Sequence, residues 1–482
     1  MRSRLTHLDG SFLRVETPNA HMHVAWSGIF TPPAAGPPPT VERLREKVES
    51  RLHLVPRFRQ RVSAPPLSMA EAAWVDDPLF EVRRHVSELG AGGPLSPAEF
   101  RDLTDAALSR PLRRNRPLWH IHLAPELDDG RVGLLFKIHH ALVDGKSAVE
   151  LALLLFDTEP GATIDPGPEW SPAPAPNAAR QALDAFRDSA TEPLRAARGL
   201  ARMAASPGEA GLTGTLRRAA LAFERDMLRP APPSYLNSPI GPRRALLRHP
   251  ARMSDLLAAR EHGGVKLNDV CLAAVAGALR QLAIGRGEEP HSLKAMVPVS
   301  TRPEEERQGL GNRISFAFVD LPVDLRTRAA RLRHVHASTS EFKRSGRPAG
   351  TETVLGALGL LPAPLKSTAA RIAASPRVFN LTVSNVPGPR FALYMLGAEL
   401  QEAYPVVPVA EGHALSIGMF SYREHMFFGL YSDPEALPDA ERLPELLNAE
   451  IRALARPRRS RSRAAQPPRA RPGHRRRPLT AL

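Results

Sequence analysis

The sequence predicts a mixed α/β protein (α+β in the stricter sense) organised in two halves, and three features support this fold class. The chain has 482 residues, 43% hydrophobic and 24% charged, which is ordinary globular composition and enough chain for two or more domains. Residues 131–155 have the pattern of a buried strand, a turn and an apolar helix. Helix and strand patterns also alternate on both sides of a proline-rich stretch at 158–177. We therefore predict mixed sheets flanked by helices.

The elements follow from hydrophobic periodicity taken in chain order. In the first half the patterns predict a strand at 21–26, helices at 41–52 and 97–108, and strands at 118–122 and 132–138. The last two strands are neighbours in the sequence and are expected to pair. In the second half they predict helices at 253–260 and 267–284, strands at 295–299 and 314–319, a helix at 327–342, a strand at 379–383, and hairpin strands at 414–420 and 425–431.

Composition sets the domain boundaries. We predict a first domain at 1–158, a Pro-rich linker with connecting helices at 159–234, a second domain at 235–455 and a disordered Arg-rich tail at 456–482. The tail carries ten arginines and no acidic residue, so the net charge of +15 falls to +5 for the rest of the chain. The basic character therefore belongs largely to the tail and indicates no specific nucleic acid as a partner.

The chain has a single cysteine, Cys271, so an internal disulfide framework is excluded. Cys271 lies in an apolar stretch and is expected to be a small buried hydrophobe rather than a nucleophile. The first residues lack the apolar segment of a signal peptide, and no uninterrupted apolar run approaches the ~20 residues that span a bilayer. We expect a cytoplasmic protein, with membrane contact, if any, from one side only.

The turn after the predicted strand at 132–138 is the candidate functional site. His139 and His140 are adjacent, and because neighbouring strand residues point to opposite faces, one is expected to face packing and the other a cavity. Asp144 can hold the turn by pairing with an arginine, and Gly145 permits a positive φ and close approach of a ligand. The residues alone leave two interpretations open. One of the histidines is catalytic, or it is a surface histidine or a buried histidine whose hydrogen bonds are all made within the core.

The sequence disfavours a metal site and a phosphate-binding loop. A metal site at the turn is disfavoured because adjacent histidines diverge and no third ligand lies nearby. A phosphate loop at 145–147 fails because His140 stands where a Walker motif requires glycine. His21 and His23 would share one strand face, where a polar face is favoured over a metal pair.

The motif HHALVDG at 139–145 fits the HHxxxDG pattern of the acyl-CoA-dependent acyltransferase superfamily, which includes chloramphenicol acetyltransferase and nonribosomal condensation domains. Further segments resemble one branch, the bacterial wax ester synthase/diacylglycerol acyltransferase family. They are LTHLDGSFLRVETPNAHMHV, VPRFRQRV, WVDDPLFEVRRHV, RPLWHIHL, LNDVCLAAVAGALR, MVPVSTRP, GNRISFAFVDLPVD, FNLTVSNVPGP and FGLYSD. Their order covers nearly the whole chain, which makes the resemblance specific.

The resemblance implies a fold, a reaction and a set of residues. The fold would be two chloramphenicol-acetyltransferase-like sandwich domains with an active-site tunnel between them. The reaction would move an acyl group from acyl-CoA to diacylglycerol or a fatty alcohol, without a cofactor or metal and with peripheral contact to a membrane or lipid droplet. His140 would be the proton acceptor, with His139, Asp144 and Gly145 as supports. The candidates for binding substrate or the oxyanion are Asn268, Ser384 and Asn385.

Alternatives remain for both the acceptor and the activity. A different hydroxyl acceptor, such as a short-chain alcohol, would keep the enzyme class. A degenerate relative that only binds acyl-CoA or lipid would lose it, although the intact HHALVDG argues against this reading. Helix capping is the alternative role of Asn268, and hydrogen bonding within a turn is that of Asn385.

Overall fold

A computed structural model describes residues 3–63, 72–90, 92–142, 154–174, 229–300, 314–345 and 363–456, which form mixed sheets flanked by helices. The α-helices are α1 His7–Val15, α2 Val41–Arg51, α3 Pro97–Ser109, α4 Met253–Gly263, α5 Leu267–Gly285, α6 Arg328–Arg344, α7 Ala363–Ala373 and α8 Leu443–Ala455. The strands of the first half are β1 Ser3–Arg4, β2 His23–Thr31, β3 Gln60–Ser63, β4 Ala73–Asp76, β5 Val86–Glu88, β6 Trp119–Ala124 and β7 Val132–His139. Those of the second half are β8 Ala245–Arg252, β9 Leu293–Ser300, β10 Ile314–Leu321, β11 Leu381–Pro387, β12 Tyr394–Met395, β13 Ala398–Val406, β14 Leu415–Tyr422 and β15 His425–Ser432.

The first large sheet has the strand order β12-β13-β2-β7-β6-β5, with β7 near its centre. Strand β7 pairs antiparallel with β2 and β6, as expected for β6 and β7 from their adjacency in sequence. All eight residues of β7 are buried. Leu134, Phe136 and Ile138 fill the main core of this half, so the alternate residues, including Lys137 and His139, occupy the opposite face.

The second large sheet has the order β10-β9-β11-β14-β15-β8. Strand β11 runs parallel to β9 and β14, whereas β14 and β15 form the predicted antiparallel hairpin. Helix α5 is almost entirely apolar and packs with α8 and α6 over this sheet. It is also long and apolar enough to cross a bilayer, but 72% of the relevant window is buried inside the protein, as in a core helix.

The two halves share a strand. Strand β13 comes late in the chain, yet it pairs antiparallel with β2 and so belongs to the first sheet. It also lies against the second sheet at Gly429 of β15, where a Cβ atom would stand 1.9 Å from the carbonyl oxygen of Pro405. Glycine is needed there because the two backbones touch. The domain boundaries that the sequence predicts stay predictions. The edge of the first sheet, however, is formed by β12 and β13, which both lie after residue 235.

Most predicted elements are confirmed to within a few residues, including the helices α2 and α3 and the strands β9, β10 and β11. The strand predicted at 21–26 begins only at His23, because residues up to Met22 form the connection from α1. Strand β13 was not predicted. The connecting helices at 178–228 and the Arg-rich tail from residue 457 lie outside the described residues, as does most of the helix after the HHALVDG turn.

The part of the Pro-rich linker that the structure describes, up to residue 174, has no regular secondary structure but is attached to the first domain. Trp170 packs edge-on against Phe80 and receives the Arg59 guanidinium 5.0 Å from its ring centre. The backbone N–H of Ala173 donates to Asp76 at 3.0 Å. The linker is therefore anchored along the surface where it leaves the first domain.

Candidate active site

The two motif histidines lie where β7 ends, and their surroundings differ as strand geometry requires. His139 is the last residue of β7 and is only 1% exposed. His140 follows the strand and is partly exposed. Its backbone N–H donates to the carbonyl oxygen of Met22 at 2.7 Å, which ties the turn to the segment entering β2. His139 is thus packed in the interior, whereas part of the His140 side chain is exposed.

The His140 ring stacks on the side chain of Phe12 from helix α1, with ring centres 3.8 Å apart and planes inclined by 17°. Its Nδ1 atom is buried and makes no hydrogen bond of normal geometry with any residue that the structure describes. Burial lowers the pKa of His140 to about 4, and the neighbouring His139 acts in the same direction, while the backbone of His140 itself opposes the shift. The ring is therefore neutral near pH 7.

His139 is oriented by a hydrogen bond to one ring nitrogen and by an electrostatic contact at the other. Its Nδ1 accepts the backbone N–H of Ala141 at 3.0 Å, so the ring proton must lie on Nε2. That nitrogen points at Glu16, 3.5 Å from Oε1, which is longer than a normal hydrogen bond but close enough for strong electrostatic attraction. His139 is thereby fixed in one tautomer.

Glu16 follows helix α1 directly and was not recognised from the sequence. Burial alone would raise the pKa of its carboxyl, but the His139 ring and the guanidinium of Arg114 together lower it to about 2. The carboxylate is 12% exposed and accepts a hydrogen bond from Arg114. No local pattern identifies Glu16 because its partners lie about a hundred residues further along the chain.

Helix α1 and the residue that follows it contact both motif histidines, and the helix is stabilised at its N-terminus. Thr6 and Asp9 form a capping box, in which the Thr6 hydroxyl accepts from the Asp9 N–H at 3.1 Å. Phe12 lies in the helix near its C-terminal end, and Glu16 is the residue that ends it, with an extended backbone conformation. One short segment therefore contacts His140 through Phe12 and His139 through Glu16.

His21 and His23 do not form a metal site within the described part of the chain, where no cluster of three ligand-type residues occurs. The His23 ring lies 5.2 Å from that of His21 and 5.9 Å from that of His139. Burial lowers the pKa of both His21 and His23. The His23 Nε2 accepts the N–H of Leu112 at 3.3 Å, which is a structural contact.

Lys137 is a second residue near the histidines whose contacts the sequence does not predict. It lies two residues before His139 on the same face of β7, and its Nζ donates to the carbonyl oxygens of Ala107 and Arg110, each at 2.6 Å. These carbonyls belong to the end of helix α3, which the ammonium group caps. Burial and the Arg110 charge lower the pKa of Lys137 to about 7.

The substrate-binding candidates of the second half come together in part. Asn385 on β11 donates through Nδ2 to Oδ1 of Asn268, near the start of α5, at 3.1 Å. The capping alternative for Asn268 is wrong, since α5 begins after Lys266, whose N–H donates to Asp269. The turn alternative for Asn385 is also wrong because the residue lies within β11. Ser384 precedes it on the strand and faces the other side of the sheet.

Asp269, next to Asn268, is buried and connects α5 with α6. Its carboxylate accepts from Nδ1 of His336 at 2.8 Å and from the hydroxyl of Thr339 at 2.7 Å. Two hydrogen bonds from α6 therefore fix the first turn of α5 and, with it, the Asn268 side chain. The sequence identified Asn268 but not this support.

Asp144 and Gly145 of the HHALVDG motif lie outside the described residues, so the arginine expected to pair with Asp144 stays unassigned. Cys271 is fully buried, and burial raises the pKa of its thiol to about 12. A thiol in that state is not a nucleophile at neutral pH, in agreement with its expected role as a packing residue.

Comparison with known proteins places this site in a family. The profile described as the wax ester synthase/diacylglycerol acyltransferase catalytic domain matches residues 5–271, and the C-terminal domain profile of the same family matches residues 310–455. The chain is 31% identical over 447 residues to a probable diacylglycerol O-acyltransferase, tgs1, of Mycobacterium tuberculosis, covering 92% of this chain and 93% of the relative. A second relative from that organism, tgs2, is 31% identical over 459 residues, covering 92% and 97% of the two chains.

Solved structures agree on the fold. The wax ester synthase/diacylglycerol acyltransferase from Marinobacter aquaeolei VT8 superposes with a TM-score of 0.66 at 25% identity, covering 94% of this chain and 98% of that one. The first condensation domain of the calcium-dependent antibiotic synthetase superposes with a TM-score of 0.58 at 17% identity, covering 94% and 96%, which shows a common fold only. The expected chloramphenicol-acetyltransferase-like architecture is thus confirmed. The chain belongs to the wax ester synthase/diacylglycerol acyltransferase family and is an acyltransferase of the class that makes triacylglycerols and wax esters.

Proposed function

We propose that this protein transfers a long-chain acyl group from acyl-CoA to diacylglycerol, with His140 as the general base. One observation carries the assignment of the base: His140 is partly exposed and its Nδ1 is buried, so Nε2 is the ring nitrogen left to meet a substrate. His139 is excluded from that role because it is sealed inside the sheet and its ring is occupied by Ala141 and Glu16.

The proposed reaction is a direct transfer. Nε2 of His140 accepts the proton of the acceptor hydroxyl while the oxygen attacks the thioester carbonyl carbon. The tetrahedral oxyanion then collapses, the carbon–sulfur bond breaks, and the imidazolium gives its proton to the departing thiolate. An ester and free CoA thiol are formed with atoms and charge balanced. The sequence contains no G-x-S-x-G elbow that would suggest a serine acyl-enzyme.

The lowered pKa of His140 suits the first half of this cycle. With a pKa of about 4, the ring is neutral by about a thousand to one at pH 7 and is available to accept a proton. Its weak basicity also means that the proton, once accepted, is readily passed on to the thiolate.

We assign stabilisation of the oxyanion to the amide pair of Asn268 and Asn385. Asn385 uses one N–H to reach Asn268, which leaves further amide N–H donors on both side chains. Pre-aimed donors of this kind contribute about 2.7–4 kcal/mol each to a transition state. Ser384, on the opposite face of β11, is a candidate for contacts to another part of the substrate.

The acceptor is diacylglycerol in this proposal because relatives that match over 92% of this chain are named probable diacylglycerol O-acyltransferases. A long-chain alcohol is the second candidate, supported by the name of the Marinobacter structure. No cofactor is needed in either reaction, since the thioester supplies the activated acyl group. Transfer to another hydroxyl compound, or binding without transfer, would appear as outcomes of the assay below.

The test uses the full-length protein with palmitoyl-CoA and a panel of dipalmitoylglycerol, hexadecanol and a short-chain alcohol. Thiol release measures turnover, and chromatography identifies the ester. We expect triacylglycerol as the main product, loss of at least ~10³-fold in kcat for His140→Ala, and a loss of ~10²–10³-fold for Asn385→Ala. His53→Ala is the matched control, because this histidine is exposed and its ring hydrogen-bonds to the Ser50 carbonyl at the end of α2. Full activity of His140→Ala would refute the assignment of the base.

We also propose that the protein is cytoplasmic and meets its apolar substrates at a membrane or lipid-droplet surface. Leu365 and Ile372 are seven residues apart on helix α7, so they share a face, and they are 54% and 57% exposed. The neighbouring apolar segment at 354–362 lies outside the described residues. Flotation with phospholipid vesicles containing diacylglycerol tests this proposal, and a protein that stays in the soluble fraction would contradict it.

A further inference from the structure

We propose that Phe12 is a positioning residue for catalysis, whose ring holds the His140 imidazole in its reactive orientation and shields one of its faces from water. This inference rests on the proposed role of His140 as general base. It adds a residue that lies on a different element and 128 positions earlier in the chain.

The geometry is that of a close parallel stack. Ring centres 3.8 Å apart and an angle of 17° place the phenyl ring directly over the imidazole. The phenyl ring of Phe12 has neither a hydrogen-bond donor nor an acceptor group. The contact therefore restrains the imidazole without competing for its nitrogens. Aromatic pairs of this kind add interaction energy beyond simple burial, and their strength depends on ring orientation.

The stack matters because the other restraints on the ring are weak. The backbone N–H of His140 is fixed by Met22, but that bond does not set rotation about the Cβ–Cγ bond. Nδ1 makes no hydrogen bond of normal geometry in the described structure. A catalytic histidine is usually oriented through its second nitrogen. Here the flat face of Phe12 supplies the orientation instead.

The same contact explains the neutral state of the ring. Burial is the principal cause of the low pKa of His140, and His139 is the titratable neighbour that adds to it. Phe12 covers one whole face of the imidazole, so removing the phenyl ring would admit water to that face. The protonated form would then be stabilised, and the pKa of His140 would move upward toward its ordinary value of 6.5.

Helix α1 also links this residue to the second half of the chain. Phe12 packs into the core of the first half, while α1 as a whole contacts helix α7, which comes from the second half. The orientation of the base thus depends on the seating of a helix that both halves touch.

The experiment compares wild type with Phe12→Tyr, Phe12→Leu and Phe12→Ala in the thioester assay between pH 4 and 9. Phe12→Tyr keeps the flat face and should retain activity within about twofold. Phe12→Leu keeps apolar volume but loses the flat face, and kcat should fall about tenfold with KM little changed. Phe12→Ala should lose ~10²-fold, as for misplacement of a catalytic group. In both impaired variants the acid limb of kcat/KM should move upward by at least about one pH unit.

Leu13→Ala is the matched control, because Leu13 is the next residue of α1 and packs on the same core without stacking on His140. It should lower thermal stability yet leave the acid limb in place. Histidine NMR titration, with the His140 signal assigned from its loss in His140→Ala, measures the pKa directly. This readout also works if Phe12→Ala folds poorly, because Phe12→Leu can be titrated in its place.

The outcomes separate the two proposals. If His140→Ala is inactive and Phe12→Leu keeps the wild-type acid limb and NMR pKa, the positioning role is overturned and the general base stands. If His140→Ala is active, both fall. Loss of kcat in Phe12→Leu with an upward shift of the His140 pKa, and recovery of both in Phe12→Tyr, supports the inference.

Discussion

Replacing Glu16 by glutamine should destabilise the protein in a strongly pH-dependent way. The carboxylate is held by the His139 ring and the Arg114 guanidinium, and its pKa falls from an ordinary value of 4.5 to about 2 despite the opposing effect of burial. A difference of about 2.5 pH units, at 1.36 kcal/mol per unit, corresponds to about 3 kcal/mol of stability at pH 7. Because Glu16 is 12% exposed, partial access of water makes this figure an upper value.

The sign follows from linkage. A group whose native pKa is depressed contributes stability that is complete above its unfolded pKa and is lost as the pH falls through its native pKa. For Glu16 the contribution should be constant above about pH 5.5, fall to about 1 kcal/mol at pH 3, and nearly vanish below pH 2. Glutamine has the same size and cannot carry the charge, so the variant lacks the contribution at every pH.

Urea denaturation at pH 7, 5 and 3 measures the difference between wild type and Glu16→Gln. We expect about 1–3 kcal/mol at pH 7, shrinking to less than half at pH 3. Glu81→Gln is the control, because that residue forms exposed pairs with Arg83 and Arg84, which typically contribute at most about 1 kcal/mol. A difference that is the same at pH 7 and pH 3 would refute the reasoning, because it would mean that the charge of Glu16 is not what stabilises the site.

Two further predictions concern the scaffold. Gly277→Ala in α5 should destabilise the second half by about 1–3 kcal/mol, because the new Cβ would lie 2.4 Å from Oε2 of the buried Glu450 and disturb its pairs with Arg328 and Arg331. The control is Gly161→Ala, which meets no atom within 4 Å, and equal thermal midpoints for the two variants would contradict the prediction. Trp170→Ala should release the linker and speed tryptic cleavage after Arg180, the first Lys or Arg beyond Trp170 in the sequence, at least severalfold with the activity retained. Cleavage at the wild-type rate would show that the contacts of Trp170 do not hold the linker.

The sequence by itself determined the fold class, the family and the identity of the two histidines. These are local properties. Hydrophobic periodicity needs only a window of residues, and the strand ending at His139 and the helices α2 and α3 followed directly from it. The opposite environments of His139 and His140 also follow from the alternation of side chains along a strand.

Only the tertiary structure decided which residues surround those histidines. Phe12 and Glu16 contact His140 and His139 across more than 120 residues of chain, and neither has a local signature of that role. Strand β13 joins the first sheet although it lies in the second half, because the edge of that sheet is completed by whichever strand packs there. A single sequence encodes such contacts only through the packing of the whole fold, since they depend on shape and distance between segments that are remote in the chain.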